Sequence, residues 1–184
     1  NDLTRLYHQR RFEHLVDQGM PLSGQYPRSI PLWMLLGASH IALRRLDGAV
    51  ECFQNILRID QGHAEAHNNL GVALQESGDL DGAGESFARA VRFKPDHGEA
   101  HFNLGNILNR GRDFAGAIES YGRSLKFKPD YAEAHNNLGS VLKEMGRLEP
   151  AIESYNRAIK FRPDYADAHN NLGNAFKAKG ELVL

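Results

Sequence analysis

The sequence predicts an all-α fold, a solenoid of antiparallel helix pairs, on three observations. The first is an internal repeat: the strings AEAHNNLG, GEAHFNLG, AEAHNNLG and ADAHNNLG start 34 residues apart, at Ala64, Gly98, Ala132 and Ala166. A period of this length fits two helices and two turns. The second is that apolar residues recur at helical spacing within each repeat, as Leu70, Ala73 and Leu74 do. The third is a proline at the end of each repeat, where a helix cannot continue: Pro95, Pro129 and Pro163.

The individual helices follow from these signals. The first helices of the repeats are predicted near 31–44, 65–77, 99–111, 133–145 and 167–179. The second helices are predicted near 47–60, 81–94, 115–128 and 149–162. Glycine is predicted to supply the turn between paired helices at Gly78, Gly146 and Gly180. Asp96 with Glu99, and Asp130 with Glu133, predict capping boxes that open the next helix.

Residue spacings that recur from one repeat to the next indicate a family. The first full copy contains Trp33, Leu36 and Gly37, followed by Ala49 and Phe53. Later copies keep the Leu-Gly pair and place a histidine at the tryptophan position: His67, His101, His135 and His169. This pattern resembles the tetratricopeptide repeat, W-x2-L-G-x2-Y, then A-x3-F, then P. The string AEAHNNLG is also similar to the repeats of O-linked N-acetylglucosamine transferases, including the SPINDLY type, and of many bacterial repeat proteins.

The resemblance implies a right-handed superhelix over residues 30–184. Its repeats would span 30–63, 64–97, 98–131 and 132–165, with a partial repeat at 166–184. Small residues such as Gly71 and Ala83 are expected to let paired helices approach, while Phe87, Tyr121 and Tyr155 fill the gap to the next hairpin.

Both ends of the chain depart from this pattern. Residues 1–29 are interpreted as a divergent N-terminal capping repeat of two short helices, the second interrupted at Gly19 and Pro21. At the other end the last helix is not followed by the polar cap that usually closes a solenoid. We therefore expect it to expose Leu172, Phe176 and Leu182, and an isolated chain to self-associate through this helix.

Composition excludes several classes of protein. Lys and Arg number 22 against 23 Asp and Glu, so the net charge of −1 gives no electrostatic footprint for nucleic acid or anionic membrane. Cys52 is the one cysteine, which rules out an internal disulfide framework, and it is read as a packing residue in a second helix. No stretch approaches 18 consecutive apolar residues, so no membrane-spanning helix is predicted, and we expect a cytoplasmic protein.

The recurring histidines invite a metal hypothesis. Neighbouring positions in the series should lie about 8–10 Å apart, the usual interhelix spacing, whereas zinc ligands lie about 2 Å from the metal. We therefore expect no metal and no cofactor, and read these histidines as packed at the hairpin junction. No Ser-His-Asp or Cys-His set and no phosphate-binding loop is distinguishable from the repetition, so we expect no enzymatic activity.

A basic stripe near the ends of the second helices has two interpretations. Its members are Arg92, Lys94, Lys126, Lys128, Lys160 and Arg162. Cations in the last turn of a helix complement its dipole, which is a structural role. The alternative is a convex surface for an anionic partner.

A recurring asparagine is the strongest candidate for function. Asn69, Asn103, Asn137 and Asn171 occupy one position of the first helices, flanked by Asn68, Phe102, Asn136 and Asn170, with Asn106 and Asn174 one turn further. Asparagine is a mediocre helix former, so its repetition within helices needs a reason. In the family this slot is an asparagine ladder that grips the backbone of an extended peptide in the concave groove. The structural alternative is a tolerated polar residue, or one that bonds within the hairpin.

The function predicted from the sequence is a protein-interaction scaffold that binds a peptide or protein partner in the groove. The alternative is the non-catalytic substrate-binding arm of a larger glycosyltransferase-type enzyme. RNA binding is disfavoured by the near-neutral charge and by acidic residues, Glu65, Glu99 and Glu133, near the groove positions.

Overall fold

The structure is a computed structural model that describes residues 2–180. All regular structure in this range is α-helical, in eleven helices and no strands, which confirms the predicted all-α fold. The chain forms two compact units, divided between Pro95 and Asp96. Helices of the first unit are α1 Asp2–His8, α2 Phe12–Gln25, α3 Ile30–Ala42, α4 Leu46–Ile59, α5 Ala64–Ser77 and α6 Leu80–Phe93. Helices of the second unit are α7 Gly98–Arg110, α8 Phe114–Phe127, α9 Ala132–Glu144, α10 Leu148–Phe161 and α11 Ala166–Lys179.

Consecutive helices pack as antiparallel pairs. In the first unit α3 pairs with α4 and α5 with α6, and α4 also packs on α5. In the second unit α7 pairs with α8 and α9 with α10, while α8 packs on α9 and α10 on α11. The predicted helices from residue 31 onward are confirmed to within two residues at each end.

The first helices of the repeats end in a turn that contains a residue of left-handed conformation. Gly78, Gly146 and Gly180 have φ of 95°, 75° and 81°, as the sequence predicted. Where the repeat lacks that glycine, an arginine takes the same conformation: Arg44 has φ 56° and Arg112 has φ 62°.

The predicted capping boxes are wrong. Helix α7 begins at Gly98, and its N-cap is His97, whose Nδ1 accepts a hydrogen bond from the backbone N–H of Ala100. Helix α9 has Tyr131 at the N-cap position, with no side-chain cap. The reason is that proline and the aspartate after it form a turn, so that each helix starts one residue later than the pattern suggested.

Aspartates do cap second helices. The Asp79 carboxylate accepts a hydrogen bond from the N–H of Gly82, at 2.9 Å, and the Asp113 carboxylate accepts one from Gly116, at 3.0 Å. These caps satisfy backbone donors that have no partner within the helix.

The predicted interruption of the second helix is also wrong. Helix α2 runs from Phe12 to Gln25 through both Gly19 and Pro21. A Cβ added to Gly19 would lie 2.8 Å from Leu36 Cδ2, so the glycine lets α2 lie directly on α3. Packing of this kind outweighs the local helix-breaking tendency of the two residues.

Aromatic rings lie against glycines within each helix pair. A Cβ added to Gly71 would lie 2.6 Å from the Phe87 ring, and one added to Gly139 would lie 2.7 Å from the Tyr155 ring. Phe53 packs on Gly37 and Tyr121 on Gly105 in the same way. Beyond their own pair, Tyr121 clusters with Val141 of α9 and Tyr155 with Ala175 of α11, as expected for rings that fill the gap to the next hairpin.

The last described helix is partly covered. Leu172 packs against Leu142 and Tyr155, and both Leu172 and Phe176 are half-buried rather than fully exposed. Leu182, the third residue of the predicted apolar patch, lies outside the described residues. Within residues 2–180, no helix has the combination of length and apolar character needed to cross a membrane.

The glycine–aromatic contact yields a stability prediction. We expect Gly139→Ala to lower the free energy of unfolding by about 1–3 kcal/mol, because the new methyl group would overlap a ring that cannot move into solvent. Gly122→Ala is the matched control, because Gly122 is an exposed glycine in α8 with no atom within 4 Å of an added Cβ. That change should raise the free energy of unfolding by about 0.5–1 kcal/mol. Urea denaturation followed by circular dichroism measures both, and shifts of the same sign would contradict the packing argument.

Candidate peptide-binding site

The predicted asparagines lie on the first helices of both units. Asn68 and Asn69 are on α5 in the first unit. The others are in the second unit: Phe102, Asn103 and Asn106 on α7, Asn136 and Asn137 on α9, and Asn170, Asn171 and Asn174 on α11.

In the second unit the amides form a hydrogen-bonded network. The Asn106 Oδ1 accepts bonds from the Tyr121 hydroxyl, at 2.8 Å, and from Asn137 Nδ2, at 2.9 Å. Asn136 Nδ2 donates to Asn137 Oδ1 at 3.3 Å, and Asn171 Nδ2 donates to Asn136 Oδ1 at 3.0 Å. The network thus links three first helices, α7, α9 and α11, through side chains about one repeat apart in sequence.

This network adds hydrogen bonds between neighbouring first helices to the predicted asparagine ladder. Asn136 is 6% exposed, and Asn106, Asn137 and Asn171 are half-buried. Asn106 bonds to Tyr121 within its own hairpin, as the structural alternative proposed. Each amide has two N–H donors and two acceptor lone pairs. Asn137 and Asn171 use only part of this capacity in the network, so they are held in place and still able to bond a ligand.

The remaining predicted residues frame the network. Asn103 is half-buried, whereas Asn170 and Asn174 are exposed on α11. Phe102 is half-buried, with its ring centroid 4.6 Å from that of Tyr131 and 6.0 Å from that of Tyr121. These rings, of Phe102, Tyr121 and Tyr131, form an aromatic wall. The structure therefore places Asn103, Asn106, Asn137 and Asn171 on consecutive first helices of the unit that contains this wall.

In the first unit the equivalent asparagines are hydrogen-bonded to each other. Asn68 is 3% exposed, and its Nδ2 donates to Oδ1 of the half-buried Asn69 at 3.3 Å. The geometry equals that of Asn136 and Asn137 in the second unit. The buried asparagine thus orients its neighbour in both units.

Two tyrosines beside the amides stay protonated at neutral pH. Burial raises the pKa of Tyr121 to about 12, although hydrogen bonds with Asn137 and Asn109 act in the opposite direction. Burial also raises the pKa of Tyr131 to about 12, helped by the nearby carboxylates of Glu99 and Glu133. The Tyr121 hydroxyl is therefore a donor to the network throughout the physiological range.

In both helix pairs of the second unit, an ion pair joins the start of the first helix to the end of the second helix. Lys128 Nζ lies 3.7 Å from Glu99, and the Arg162 guanidinium donates to the Glu133 carboxylate. Burial alone would raise the pKa of Glu133, but the hydrogen bond and the charge of Arg162 outweigh it and lower that pKa. Two members of the predicted basic stripe thus pair with acidic residues in the first turns of α7 and α9.

The histidines lie at the hairpin junctions. Nε2 of His67, His135 and His169 donates to the backbone carbonyls of Gln61, Pro129 and Pro163, each at 2.9 Å. The His67 ring also stacks on Phe93 and the His135 ring on Phe161, with centroids 5.5 Å apart in each case. Among residues 2–180 no three His, Cys, Asp or Glu side chains form a group that could hold a metal ion.

Three of the buried histidines favour the neutral form. Burial lowers the pKa of His40, His67 and His135 below the ordinary value of 6.5. In His67 Nε2 carries the proton that is shared with the Gln61 carbonyl, so a second proton would have to bind Nδ1, which is buried without a partner in the described structure. The Cys52 thiol is likewise buried, which raises its pKa to about 12, in keeping with a packing role.

Sequence reasoning missed two features. The first is the N-capping role of His63 and His97. The second is a set of exposed phenylalanines at the ends of second helices, Phe93, Phe127 and Phe161, which are 40–49% exposed. Their signal was present in the sequence as a phenylalanine between two cations before each proline, in RFKP, KFKP and KFRP.

Family comparisons agree with the repeat pattern. The family model "TPR repeat" matches residues 112–146 and 139–180, and the model "Tetratricopeptide repeat" matches residues 34–97. No curated protein sequence matches the chain significantly. The chain therefore consists of tetratricopeptide repeats along most of its length.

Solved structures share the fold at low sequence identity. A crystal structure of MamA is 19% identical, with a TM-score of 0.81, over 90% of this chain and 97% of that one. PilW, described as a widely conserved type IV pilus biogenesis factor, is 20% identical, with a TM-score of 0.83, over 97% of this chain and 83% of that one. YrrB, described as a TPR protein with an unusual peptide-binding site, is 20% identical, with a TM-score of 0.75, over 91% of this chain and 87% of that one. These comparisons support tetratricopeptide repeats in general and give no support for the narrower resemblance to O-linked N-acetylglucosamine transferases.

The buried histidines yield a pH prediction. Below about pH 6.5 the unfolded chain takes up protons that folded His40, His67 and His135 resist, so the free energy of unfolding should fall between about pH 7 and pH 5. The stability that the neutral, buried histidines contribute is fully present above the ordinary histidine pKa. It is lost as the pH falls from there toward the lower pKa values of the folded protein.

Substitution of these histidines tests the effect. His67→Gln and His135→Gln should each reduce the slope of unfolding free energy against pH, whatever they do to stability at neutral pH. His14→Gln, at an exposed position in α2, is the control for the replacement of a histidine by glutamine as such. Urea denaturation at several pH values gives the slopes. Equal slopes in the wild type and both buried-site variants would contradict the assignment.

Proposed function

We propose that this protein is a non-catalytic interaction scaffold whose first helices bind the backbone of an extended peptide. The observation that carries the proposal is the amide network of the second unit, which holds polar side chains in fixed positions on three consecutive first helices. Asparagine amides offer both donors and acceptors, as the peptide backbone does. A site of this kind recognises an extended conformation with little dependence on side-chain sequence.

Similar proteins support a scaffold role. Tetratricopeptide-repeat proteins are interaction scaffolds, and the peptide-binding site described for YrrB is an example within the same fold. In this chain Asn69 of the first unit and Asn103, Asn137 and Asn171 of the second would contact the peptide backbone, with Asn106 and the buried Asn68 and Asn136 as positioning residues. Phe102 would contact a peptide side chain, and Asn170 and Asn174 would extend the polar surface along α11.

The expected affinity is modest. A backbone hydrogen bond contributes about 0.5–1.5 kcal/mol net, and a flexible peptide loses conformational freedom when it binds. A few such bonds therefore correspond to dissociation constants of about micromolar or weaker. This range suits a scaffold that exchanges partners.

Substitution of network asparagines tests the proposal. Peptides selected from a random library displayed on phage supply the probe, and fluorescence anisotropy measures their affinity for the wild type and variants. Asn137→Ala and, separately, Asn171→Ala should weaken binding by about tenfold, a loss of about 1.4 kcal/mol. Asn156→Ala is the matched control, because Asn156 is an exposed asparagine on the second helix α10 and should not affect binding.

Stability measurements separate binding from folding. The half-buried Asn171 lies at the edge of the network, so its replacement should change the melting temperature little. If both variants stay folded and keep full affinity for the selected peptides, the asparagine surface is not the binding site and the proposal is wrong.

A further inference from the structure

Each unit contains a cleft that shares no residue with the asparagine surface, and the two clefts are equivalent. The first, of about 360 Å³, is lined by Leu57, Gln61, His67, Arg89, Arg92 and Phe93. The second, of about 280 Å³, is lined by Leu125, Pro129, His135, Arg157, Lys160 and Phe161. Every residue of the second cleft is 68 positions after its counterpart in the first, which is two repeats. The clefts therefore form from the same positions of the repeat, and each forms within its own unit.

Each cleft has an apolar wall that is only partly covered. Phe93 is 49% exposed and Phe161 is 42% exposed, although both are large apolar residues. One face of each ring stacks on the buried histidine, with interplanar angles of 10° and 16°. Because the histidine fixes the ring, the rest of the phenylalanine remains available to a ligand at little entropic cost.

The cations beside this wall are not fully neutralised. Arg89 and Arg157 pair with Glu85 and Glu153 on the same helix, at 3.8 and 2.6 Å. Among the ion pairs of residues 2–180 neither Arg92 nor Lys160 has a carboxylate within 4 Å.

The charged residues that line the two clefts are all cations. No Asp or Glu lines either cleft, and the histidines in them favour the neutral form. Each cleft therefore combines an exposed aromatic surface with a net positive charge.

We propose that these two clefts are secondary docking sites for an acidic segment of a partner protein that carries an aromatic side chain. The aromatic side chain would pack on Phe93 or Phe161, and adjacent carboxylates would bind Arg92 or Lys160. A cleft of this volume accommodates one large side chain. Arginine and lysine attract both carboxylates and aromatic faces, so the same cations recognise both parts of the motif.

Charge complementarity favours an acidic peptide over a nucleic acid. A nucleic acid is bound by an extended basic surface, whereas each cleft offers two cations, one of which is already paired with a glutamate. The whole chain is also slightly acidic, with a net charge of −1. A short acidic segment is neutralised by this arrangement, and a phosphate backbone is not.

A synthetic peptide tests the proposal directly. The probe is the acetylated and amidated peptide Glu-Asp-Phe-Glu-Asp, titrated into the isotope-labelled protein while the ring signals of His67 and His135 are followed by NMR. We expect both sets of signals to shift. The matched peptides Glu-Asp-Ala-Glu-Asp and Gln-Asn-Phe-Gln-Asn should each bind about tenfold more weakly, which corresponds to about 1.4 kcal/mol.

Protein variants assign the binding to the cations. The double variant Arg92→Glu and Lys160→Glu should weaken binding of the acidic peptide by about tenfold or more. Arg28→Glu and Arg110→Glu are controls, because both residues are exposed cations outside the clefts, and should leave the affinity unchanged. Phe93→Leu and Phe161→Leu keep the apolar bulk and so preserve folding while removing the ring.

Binding at the clefts and binding at the asparagine surface can be tested independently. Equal affinity of the three peptides, or of the wild type and the Arg92→Glu, Lys160→Glu double variant, would overturn the proposal. A short oligouridylate that shifts the same histidine signals more strongly than the acidic peptide would also overturn it, in favour of nucleic acid. Asn137→Ala should leave acidic-peptide binding unchanged, so that failure of one proposal leaves the other intact.

Discussion

In four helix pairs, two in each unit, an aromatic ring of the second helix packs directly on a glycine of the first, in the space that the Cβ of any other residue would fill. This contact sets the distance between the paired helices, and the rest of the structure depends on that distance. Where the ring is a tyrosine, its hydroxyl reaches past the glycine to a polar residue one position further along the first helix: Tyr121 bonds Asn106, and Tyr155 bonds Ser140 at 3.3 Å. Where the ring is Phe87, the corresponding residue is Val72, which needs no partner. In these repeats a tyrosine ring is thus accompanied by a polar residue after the glycine, and a phenylalanine ring by an apolar one. The amide network of the second unit is joined to the core through Tyr121.

Much of the fold could be predicted because its signals are local and repeated. Helical spacing of apolar residues, a glycine with positive φ and a proline after each pair fixed the helices to within two residues. One error came from a residue whose role depends on a contact distant in the sequence. Gly19 and Pro21 look like helix breakers, yet α2 continues because Gly19 lies against Leu36. The capping pattern was misread because an aspartate in a turn and an N-cap aspartate have the same spacing to the next glutamate.

The arrangement of the candidate site was predicted less completely than the fold, for a related reason. The sequence identified which asparagines recur, but hydrogen bonds such as that from Asn171 to Asn136 join residues 35 positions apart, and only the packing of α11 beside α9 brings them together. The recurrence itself therefore has a partly structural origin, because these amides satisfy one another. The clefts at Phe93 and Phe161 were not predicted because only the cations next to each phenylalanine were interpreted, either as a complement to the helix dipole or as a convex surface for an anionic partner. The exposure of these rings became visible only in the structure.

The geometry of a single helix explains how one repeat can present two surfaces. His67 and Asn69 are two residues apart, and successive residues of an α-helix are rotated by about 100°, so the two side chains point in nearly opposite directions. The histidine side faces the end of the second helix, where it supports Phe93, and the asparagine side faces away from it. His135 and Asn137 repeat this arrangement with Phe161. Because the two surfaces share a helix but no side chain, a substitution on one need not disturb the other. Under the two proposals, a scaffold built in this way would hold a peptide backbone on one face and an acidic segment on the other, with the glycine–aromatic contact keeping both helices in place.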